Sequence, residues 1–189
     1  AIDIAIWDSH FYSPGGATLC ALFENHKVAC WGETMRHLTG RGGSLTYSSG
    51  QISLPEITAE LPTNFTPISI HSSTNGFCVI STNNQVACWG NPIYREQNWA
   101  WTSTPTLFPY MPNFSDNITE FSTSDNTACA LYSSGDFYCL NSSQSWVYIS
   151  SNVTSHTSRA YGICFNSNVT ELHCLIGTNV FGTMSYGGG

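Results

Sequence analysis

The stretch CVISTNNQVACWG, residues Cys78 to Gly90, recurs three more times along the chain with its two cysteines at one fixed spacing. The other copies are CALFENHKVACWG, CALYSSGDFYCLN and CFNSNVTELHCLI, which begin at Cys20, Cys129 and Cys164. All eight cysteines of the protein lie in these four units, each as Cys, nine residues, Cys. A spacing that is kept four times indicates that this unit is the repeated structural element of the chain.

Each unit fits a β-hairpin with a three-residue tip. In the first copy, with the tip at residues 24–26, Leu22 faces Val28 and Cys20 faces Cys30. If the pair that closes the tip is hydrogen-bonded, alternation makes the cysteines a non-hydrogen-bonded pair, whose Cα atoms approach to roughly 4.5 Å, a distance that a disulfide can span. The pattern therefore predicts one disulfide within each hairpin. The four pairs are Cys20–Cys30, Cys78–Cys88, Cys129–Cys139 and Cys164–Cys174.

Side-chain alternation also predicts one core face for each hairpin, which carries both cysteines and the two residues between them on that side. Those two residues are apolar in the first three copies. The fourth copy keeps Leu172 but has Asn166 where the others have Leu or Ile, as terminal repeats often do. A zinc site is disfavoured, because paired zinc cysteines are usually about two to four residues apart and the histidines follow no repeat.

Composition predicts an extracellular protein. Eight cysteines in regular pairs are typical of an oxidising compartment. Charged residues are only 9% of the 189, with 5 Lys and Arg against 12 Asp and Glu, so nucleic acid and anionic membrane are disfavoured as partners. Six glycosylation sequons predict N-linked glycans. They lie at Asn64, Asn113, Asn117, Asn141, Asn152 and Asn168.

The chain contains no apolar run long enough to span a bilayer, so membrane insertion is not expected. A secreted protein carries a signal peptide that is cleaved, and we expect Ala1 to follow such a site. The predicted location is therefore extracellular or at the cell surface.

Periodicity predicts an all-β chain, because no helical pattern of useful length is present. Strand candidates outside the hairpins are residues 50–54, 66–71, 118–122 and 145–150. We divide the chain into an N-terminal strand, residues 1–12, and a single all-β repeat domain, residues 13–189.

The repeated pattern reads Cys-Ala-Leu, a polar turn and Val-x-Cys-Trp-Gly, and it is preceded by a strand such as residues 67–70. This pattern resembles the repeat of the regulator of chromosome condensation family. It is most similar to the disulfide-bearing form found in secreted and receptor ectodomains. The resemblance implies that each repeat supplies strands to one blade of a β-propeller, typically of seven blades. The third unit has Leu140-Asn141 in place of Trp-Gly, and the fourth keeps little beyond its cysteines and Gly177. No guanine-nucleotide-exchange activity is carried over.

Four units are too few for a seven-bladed ring. The sequence leaves open a propeller-like arc, a small closed propeller, or a β-sandwich. An arc exposes strand edges, which the alternating N-terminal segment AIDIAIW is suited to cover. Ile2, Ile4 and Ile6 lie on one face of that strand, and if it joins a neighbouring copy we expect them to fill core pockets there. The strand either pairs in its own sheet or completes the sheet of a neighbouring copy, as in the glycosylated donor-strand threads of archaeal surfaces.

We find no motif for catalysis, for a metal or for another cofactor, so the chain is not expected to be an enzyme. Two functional classes remain. In the first, the chain is a structural subunit that self-assembles into a surface filament through its N-terminal strand. In the second, it is a secreted or ectodomain binding module with a propeller fold, whose aromatic residues bind a carbohydrate or protein ligand. Candidate residues, for which a place in the core is the alternative, are Trp99, Trp101, Tyr110 and Trp146.

Overall fold

A computed structural model describes residues 1–8, 17–35, 49–57, 59–73, 76–90, 102–108, 116–124, 127–141, 145–159, 162–167, 171–176 and 183–185. Within these ranges the chain forms sixteen β-strands and no helix. Every sheet has four antiparallel strands that follow each other in chain order, so each is a simple meander. We number the sheets 1 to 4 along the chain.

Sheets 1 and 2 occupy the first part of the chain. Sheet 1 contains β1 (Asp3–Asp8), β2 (Ala17–Leu22), β3 (Val28–Met35) and β4 (Ser49–Ile57). Sheet 2 contains β5 (Pro67–Ser73), β6 (Gly76–Ser81), β7 (Val86–Gly90) and β8 (Thr102–Leu107). The second and third strands of each sheet are the cysteine hairpin.

Sheets 3 and 4 repeat this layout. Sheet 3 contains β9 (Ile118–Thr123), β10 (Ala128–Tyr132), β11 (Phe137–Leu140) and β12 (Trp146–Ser150). Sheet 4 contains β13 (Val153–Arg159), β14 (Gly162–Ser167), β15 (Glu171–Ile176) and β16 (Thr183–Ser185). The hairpin is thus the constant centre of each sheet, with one strand added on either side.

The hairpin tips have the predicted three residues in the first three sheets. In the first, the Phe23 N–H donates to the Lys27 carbonyl at 2.9 Å and closes the tip. The third tip residue is left-handed in each case, with φ of 59° at His26, 59° at Asn84 and 84° at Gly135. Asn and Gly adopt this conformation more readily than most residues, so the polar tips match the turn that they form.

The four disulfides join the predicted pairs. Their Cα–Cα distances of 4.0 to 4.1 Å agree with non-hydrogen-bonded partners across the hairpin. We call the side of each sheet that carries the disulfide its cysteine face, and the other side its opposite face. The cysteine faces of sheets 1 to 3 are buried as predicted, including Leu22, Ile80 and Phe137.

The chain divides into two compact units, Ala1–Pro92 with Asn98–Pro109, and Ile93–Gln97 with Tyr110–Gly189. In the first unit the cysteine face of sheet 1 packs against the opposite face of sheet 2, where Phe77 and Trp89 stack at 5.7 Å. In the second unit the cysteine face of sheet 3 packs against Ile163 and Phe165 on the opposite face of sheet 4. Both units therefore follow one packing order, cysteine face onto the opposite face of the next sheet.

The Trp-Gly motif of the first two hairpins marks a local break in the sheet. Gly32 and Gly90 have φ of 117° and 87°, and the pairing with the outer strand shifts register at these two glycines. A side chain at such a φ is strained, which explains the glycine. The third hairpin has Leu140-Asn141, and there Leu140 pairs in register with Trp146.

The N-terminal strand takes the first of the two arrangements that the sequence left open. β1 pairs with β2 in its own sheet, from Asp3 opposite Leu22 to Asp8 opposite Ala17. Ala5 is buried against sheet 2, whereas Ile2, Ile4 and Ile6 are 50%, 56% and 56% exposed. The alternation was predicted, and the insertion of the isoleucines into a neighbouring copy stays a prediction. They are exposed in this chain because β1 lies beside β5, where the side towards sheet 2 carries Asp3 and the small Ala5.

Candidate binding surface

Three tyrosines form a ladder across the hairpin and the outer strand of sheet 3. Tyr132 ends β10, Tyr138 lies in β11, and Tyr148 lies opposite Tyr138 in β12. Their rings meet edge to face, with centroids 5.6 Å apart between Tyr132 and Tyr138 and 5.5 Å apart between Tyr138 and Tyr148. We call these residues the tyrosine ladder.

The exposure of the three tyrosines increases from Tyr132 to Tyr148. Tyr132 is buried, Tyr138 is half-buried, and Tyr148 is 51% exposed. Tyr138 stands between Phe137 and Cys139, so alternation places it on the opposite face of sheet 3. Cross-strand aromatic pairs stabilise a sheet and hold each other's orientation. The exposed Tyr148 ring therefore packs against Tyr138, which in turn packs against the buried Tyr132.

Electrostatics keep the inner end of the ladder neutral. Burial raises the pKa of the Tyr132 phenol well above its usual range, and the nearby Tyr138 and Asp116 raise it further. A phenol is already protonated at neutral pH, because its usual pKa is 10.0, and the raised pKa keeps Tyr132 protonated in more alkaline solution as well. A protonated tyrosine offers an apolar ring with a polar hydroxyl.

A carboxylate fixes the turn next to the ladder. Asp116 accepts hydrogen bonds from the Ser133 hydroxyl, from the Ser134 backbone N–H at 2.7 Å and from the Asn117 N–H at 2.9 Å. These bonds, that from the Ser133 hydroxyl first, lower the pKa of Asp116 to about 2. The turn beside the ladder therefore carries a negative charge at neutral pH, which is bonded to one hydroxyl and two backbone N–H groups.

This arrangement is suited to binding. An exposed tyrosine gives a large contact area at a small cost in side-chain entropy, and tyrosines are enriched where proteins recognise other molecules. In the part of the chain that the structure describes, no cluster of three or more His, Cys, Asp or Glu residues could hold a metal ion. The tyrosine ladder itself offers aromatic contact and hydrogen bonding.

None of the predicted aromatic residues belongs to the tyrosine ladder. Trp99, Trp101 and Tyr110 fall outside the described residues. Trp146 is half-buried and packs against Phe121 with ring centroids 6.5 Å apart. Sequence reasoning missed the ladder, although the repeat carries a signal for it. Tyr138 occupies the hairpin position at which the first two copies have Ala29 and Ala87.

Four of the six predicted glycosylation sites lie within the described residues. Asn64, Asn117 and Asn152 are exposed, and Asn141 is half-buried with its side-chain oxygen accepting the Ser145 N–H at 2.9 Å. The other two sequons, at Asn113 and Asn168, lie outside the described residues. Exposure is what an acceptor asparagine requires, and the presence of glycans stays a prediction.

No family model matches the sequence, and no curated protein sequence is similar to it. Solved structures are similar. Human WBSCR16 matches 84% of this chain, with a TM-score of 0.63 and a sequence identity of 11%. Yeast RCC1 (Prp20), in its complex with Kap60, matches 90% of this chain, with a TM-score of 0.57 and a sequence identity of 12%. The WD40 ectodomain of the Arabidopsis thaliana receptor kinase ACR4 matches 93% of this chain, with a TM-score of 0.53 and a sequence identity of 18%.

These similarities show the fold. The chain has the β-propeller type of repeat, with each four-stranded sheet as one blade, and the fold-class prediction of a disulfide-stapled, propeller-like all-β chain is confirmed. The chain spans 44%, 46% and 54% of the lengths of these three proteins, so it corresponds to about half of each. Among the residues that the structure describes, no helix has the length and apolar character needed to cross a membrane.

Proposed function

We propose that this chain is a binding module of an extracellular protein and that it recognises a protein partner through the tyrosine ladder. The observation that carries the proposal is the exposed Tyr148 ring held by Tyr138 and Tyr132 on a disulfide-stapled sheet. Ordered, partly exposed tyrosines are frequent energetic centres of protein interfaces.

Charge favours a particular kind of partner surface. The whole chain has a formal charge of −7, and Asp116 adds a fixed negative charge beside the ladder. A partner with an apolar centre and neutral or basic residues around it would complement this surface. Polyanions such as nucleic acid would be repelled.

Two of the structural neighbours support the proposed binding function by analogy. Yeast Prp20 is found in a complex with Kap60, and the ACR4 neighbour is a receptor-kinase ectodomain. Four disulfides fit an extracellular location. We extend this to a secreted glycoprotein that carries N-linked glycans at its exposed sequons and has no enzymatic activity of its own.

The self-assembling filament receives less support. Its premise was an N-terminal strand free to enter a neighbouring copy, whereas β1 is paired with β2 along its whole length. Exchange would require these pairs to break first. We therefore prefer the binding module to the filament subunit.

Site-specific photocrosslinking tests the proposal. The intact protein would carry benzoyl-phenylalanine in place of Tyr148, or, as the control, in place of Leu107, which is 41% exposed in sheet 2. Both would be incubated with the extracellular fraction of the source organism. We expect a discrete crosslinked protein from position 148 only, competed by unlabelled wild-type protein but not by Tyr148→Ala.

Two results would contradict the proposal. Equal crosslinking from both positions would show that the ladder has no specific partner. Binding of the labelled protein to a neutral oligosaccharide array, with loss of that binding in Tyr148→Ala, would assign the ladder to a carbohydrate instead. Tyr148→Phe distinguishes ring contact from hydroxyl bonding, because it retains the aromatic surface.

A further inference from the structure

The last strand of sheet 3 lacks a proline that the last strands of sheets 1 and 2 share. In β4 and β8 the residue that pairs with the second cysteine of the hairpin follows a proline, Pro55 in one strand and Pro105 in the other. In β12 the same position is Trp146. A proline on an edge strand hinders the addition of a further strand because it has no N–H. Sheet 3 is therefore without this protection.

The other common ways to protect an edge are also missing from β12. Its five residues, WVYIS, include no charged residue, and all of them are half-buried or exposed. Aromatic and β-branched residues such as these favour strand pairing. In sheet 4 the last strand, β16, has only three residues, and short edge strands resist addition. Among the last strands of the four sheets, as far as the structure describes them, β12 is thus the one best suited to accept another strand.

The register of the hairpin shows which way the backbone of Tyr148 points. The two cysteines of sheet 3 are a non-hydrogen-bonded pair, with Cα atoms 4.1 Å apart, so the backbone groups of Cys139 point towards β12 and those of Val147 point back. The Asn141 N–H, which donates to the Ser145 carbonyl at 2.9 Å, fits this direction. Tyr148 alternates with Val147 and therefore directs its N–H and C=O away from β11. Within the residues that the structure describes, no strand of sheet 3 lies on that side.

We propose that β12 binds an extended segment of the partner protein, which adds to sheet 3 as a further strand. The inference rests on the proposed function, because the segment belongs to the partner that contacts Tyr148. Its backbone would pair with the outward N–H and C=O of Tyr148, and its side chains would pack against the exposed ring. The ligand class is a peptide in β conformation, rich in β-branched or aromatic residues.

Charge favours a basic segment over a second copy of this chain. From Asp116 to Ser158 the sequence has four acidic residues and no lysine or arginine. Asp116 and Asp136 both bond to backbone N–H groups at the hairpin tip of sheet 3, the first through its carboxylate and the second through its carbonyl. Lysine or arginine in the bound segment would complement these carboxylates, whereas two copies with a formal charge of −7 each would repel one another.

Selection from a library of linear peptides displayed on phage supplies a probe for the edge. The target is the intact, oxidised protein. We expect the selected peptides to alternate β-branched or aromatic residues with polar ones and to include lysine or arginine. A peptide is used further if it crosslinks to protein with benzoyl-phenylalanine at position 148 and not to protein with this residue at position 107. A selection without any such peptide would overturn the inference.

Methylation of the peptide's backbone nitrogens then tests the binding mode. In an added strand only every second residue directs its N–H towards β12. N-methylation at these residues should weaken binding by about tenfold or more, and at the residues between them it should have little effect. Contact through side chains alone has no such period of two. Uniform tolerance of N-methylation would therefore overturn the inference and leave the proposed function intact.

Amide hydrogen exchange, measured by NMR, reads the same contact on the wild-type protein. The Tyr148 amide should exchange rapidly in the free protein and slow by at least about tenfold when the peptide is bound. The Val147 amide, which points towards β11, should be slow in both states and is the internal control. A Tyr148 amide that is already slow in the free protein would overturn the inference, because the edge would then be covered by this chain or by a second copy.

Two substitutions at position 148 separate the backbone from the ring. Tyr148→Pro removes an N–H that points away from β11 and should abolish peptide binding, whereas Tyr148→Ala removes the ring and should weaken binding but keep the period of two. Leu107→Pro, at the same repeat position in β8, is the control and should bind like wild type. Equal binding by Tyr148→Ala and wild type would contradict the proposed role of the ladder alone. Thermal unfolding shows whether each variant folds, and the N-methylation and exchange experiments need no variant.

Discussion

The Asp3 carboxylate accepts a hydrogen bond of 2.8 Å from the Ile70 backbone N–H, which links the first strands of sheets 1 and 2 across 67 residues of sequence. Glu120 repeats the bond between sheets 3 and 4, where its carboxylate accepts the His156 N–H at 3.1 Å. Both acids hold the same repeat position, opposite Leu22 and Leu131. β5 and β13 are edge strands, whose outward backbone N–H groups have no neighbouring strand in their own sheet. The two carboxylates accept hydrogen bonds from two of these N–H groups.

Loss of this cap should destabilise the first unit. Asp3→Ala leaves the backbone N–H of the buried Ile70 without its acceptor, and we expect a loss of about 1–3 kcal/mol in the free energy of unfolding. Asp3→Asn keeps a neutral acceptor and should lose less. Urea unfolding of the three proteins measures this order. Equal stability of Asp3→Ala and wild type would show that water replaces the carboxylate without cost.

Local pairing explains what the sequence could predict. The disulfide pairs, the three-residue tips and the buried cysteine faces all follow from the register of a single hairpin, which is set within about a dozen residues. The strand candidates coincided with β4, β5, β9 and β12 for the same reason. Each of these features depends only on neighbours in the sequence.

Features that depend on packing between distant segments were missed. β8, β13 and β16 have weak sequence patterns and are fixed by pairing with the hairpins. The sequence of β1 shows the alternation but not which side of the strand is buried in its own sheet. That side is decided by sheet 2, whose Ile70 N–H donates a hydrogen bond to Asp3. The tyrosine ladder likewise requires β12 to lie beside β11.

Two disulfides of equal loop length should differ in their effect. Cys78–Cys88 and Cys164–Cys174 both have a sequence separation of 10, so an entropic model gives the same loss for each, about 3 kcal/mol. The first pair is fully buried and the second half-buried. Replacing both cysteines by alanine should therefore cost more in sheet 2, where the lost sulfur atoms leave a cavity. Urea midpoints without reductant would compare the two variants.

Acid should weaken the turn that Asp116 holds. The folded-state pKa of Asp116 is lowered from 3.8 to about 2, so its carboxylate stabilises the fold fully above the unfolded value. That contribution declines as pH falls from 3.8 towards 2. Asp116→Asn should be less stable than wild type at neutral pH, and the difference should vanish near pH 2. A difference in melting temperature that stays constant down to pH 2 would contradict the assignment.

Glycan occupancy should follow exposure of the acceptor asparagine. We expect Asn64, Asn117 and Asn152, which are exposed, to be modified in protein secreted from eukaryotic cells. Asn141 should be modified less, because its side chain is half-buried and already bonded to Ser145. Peptide mass mapping before and after enzymatic deglycosylation measures the occupancy at each site. Full modification of Asn141 with none at Asn152 would reverse the expected order.

The turn between β5 and β6 offers two alanine substitutions with opposite expected effects. Gly76 lies opposite Ser73 in the pairing that closes this turn. A Cβ on Gly76 would come within 2.1 Å of the Trp89 carbonyl oxygen, which belongs to a neighbouring strand and cannot rotate away. Gly76→Ala should therefore destabilise the protein by about 1–3 kcal/mol, the usual cost of overpacking a core. The Ser73 hydroxyl is buried and has no hydrogen-bond partner among the described residues.

Ser73→Ala removes that unsatisfied group and should leave stability unchanged or slightly higher. The two variants control for each other, because each places an alanine in the same turn. Gly76→Ala adds a methyl group, whereas Ser73→Ala only removes a hydroxyl. Unfolding by urea, followed through the buried Trp89, measures both variants. If Gly76→Ala unfolds at the wild-type midpoint, then β6 and β7 are further apart at this point than their pairing indicates. If Ser73→Ala is clearly destabilised, its hydroxyl has a partner, and the turn is held by a polar contact rather than by close packing alone.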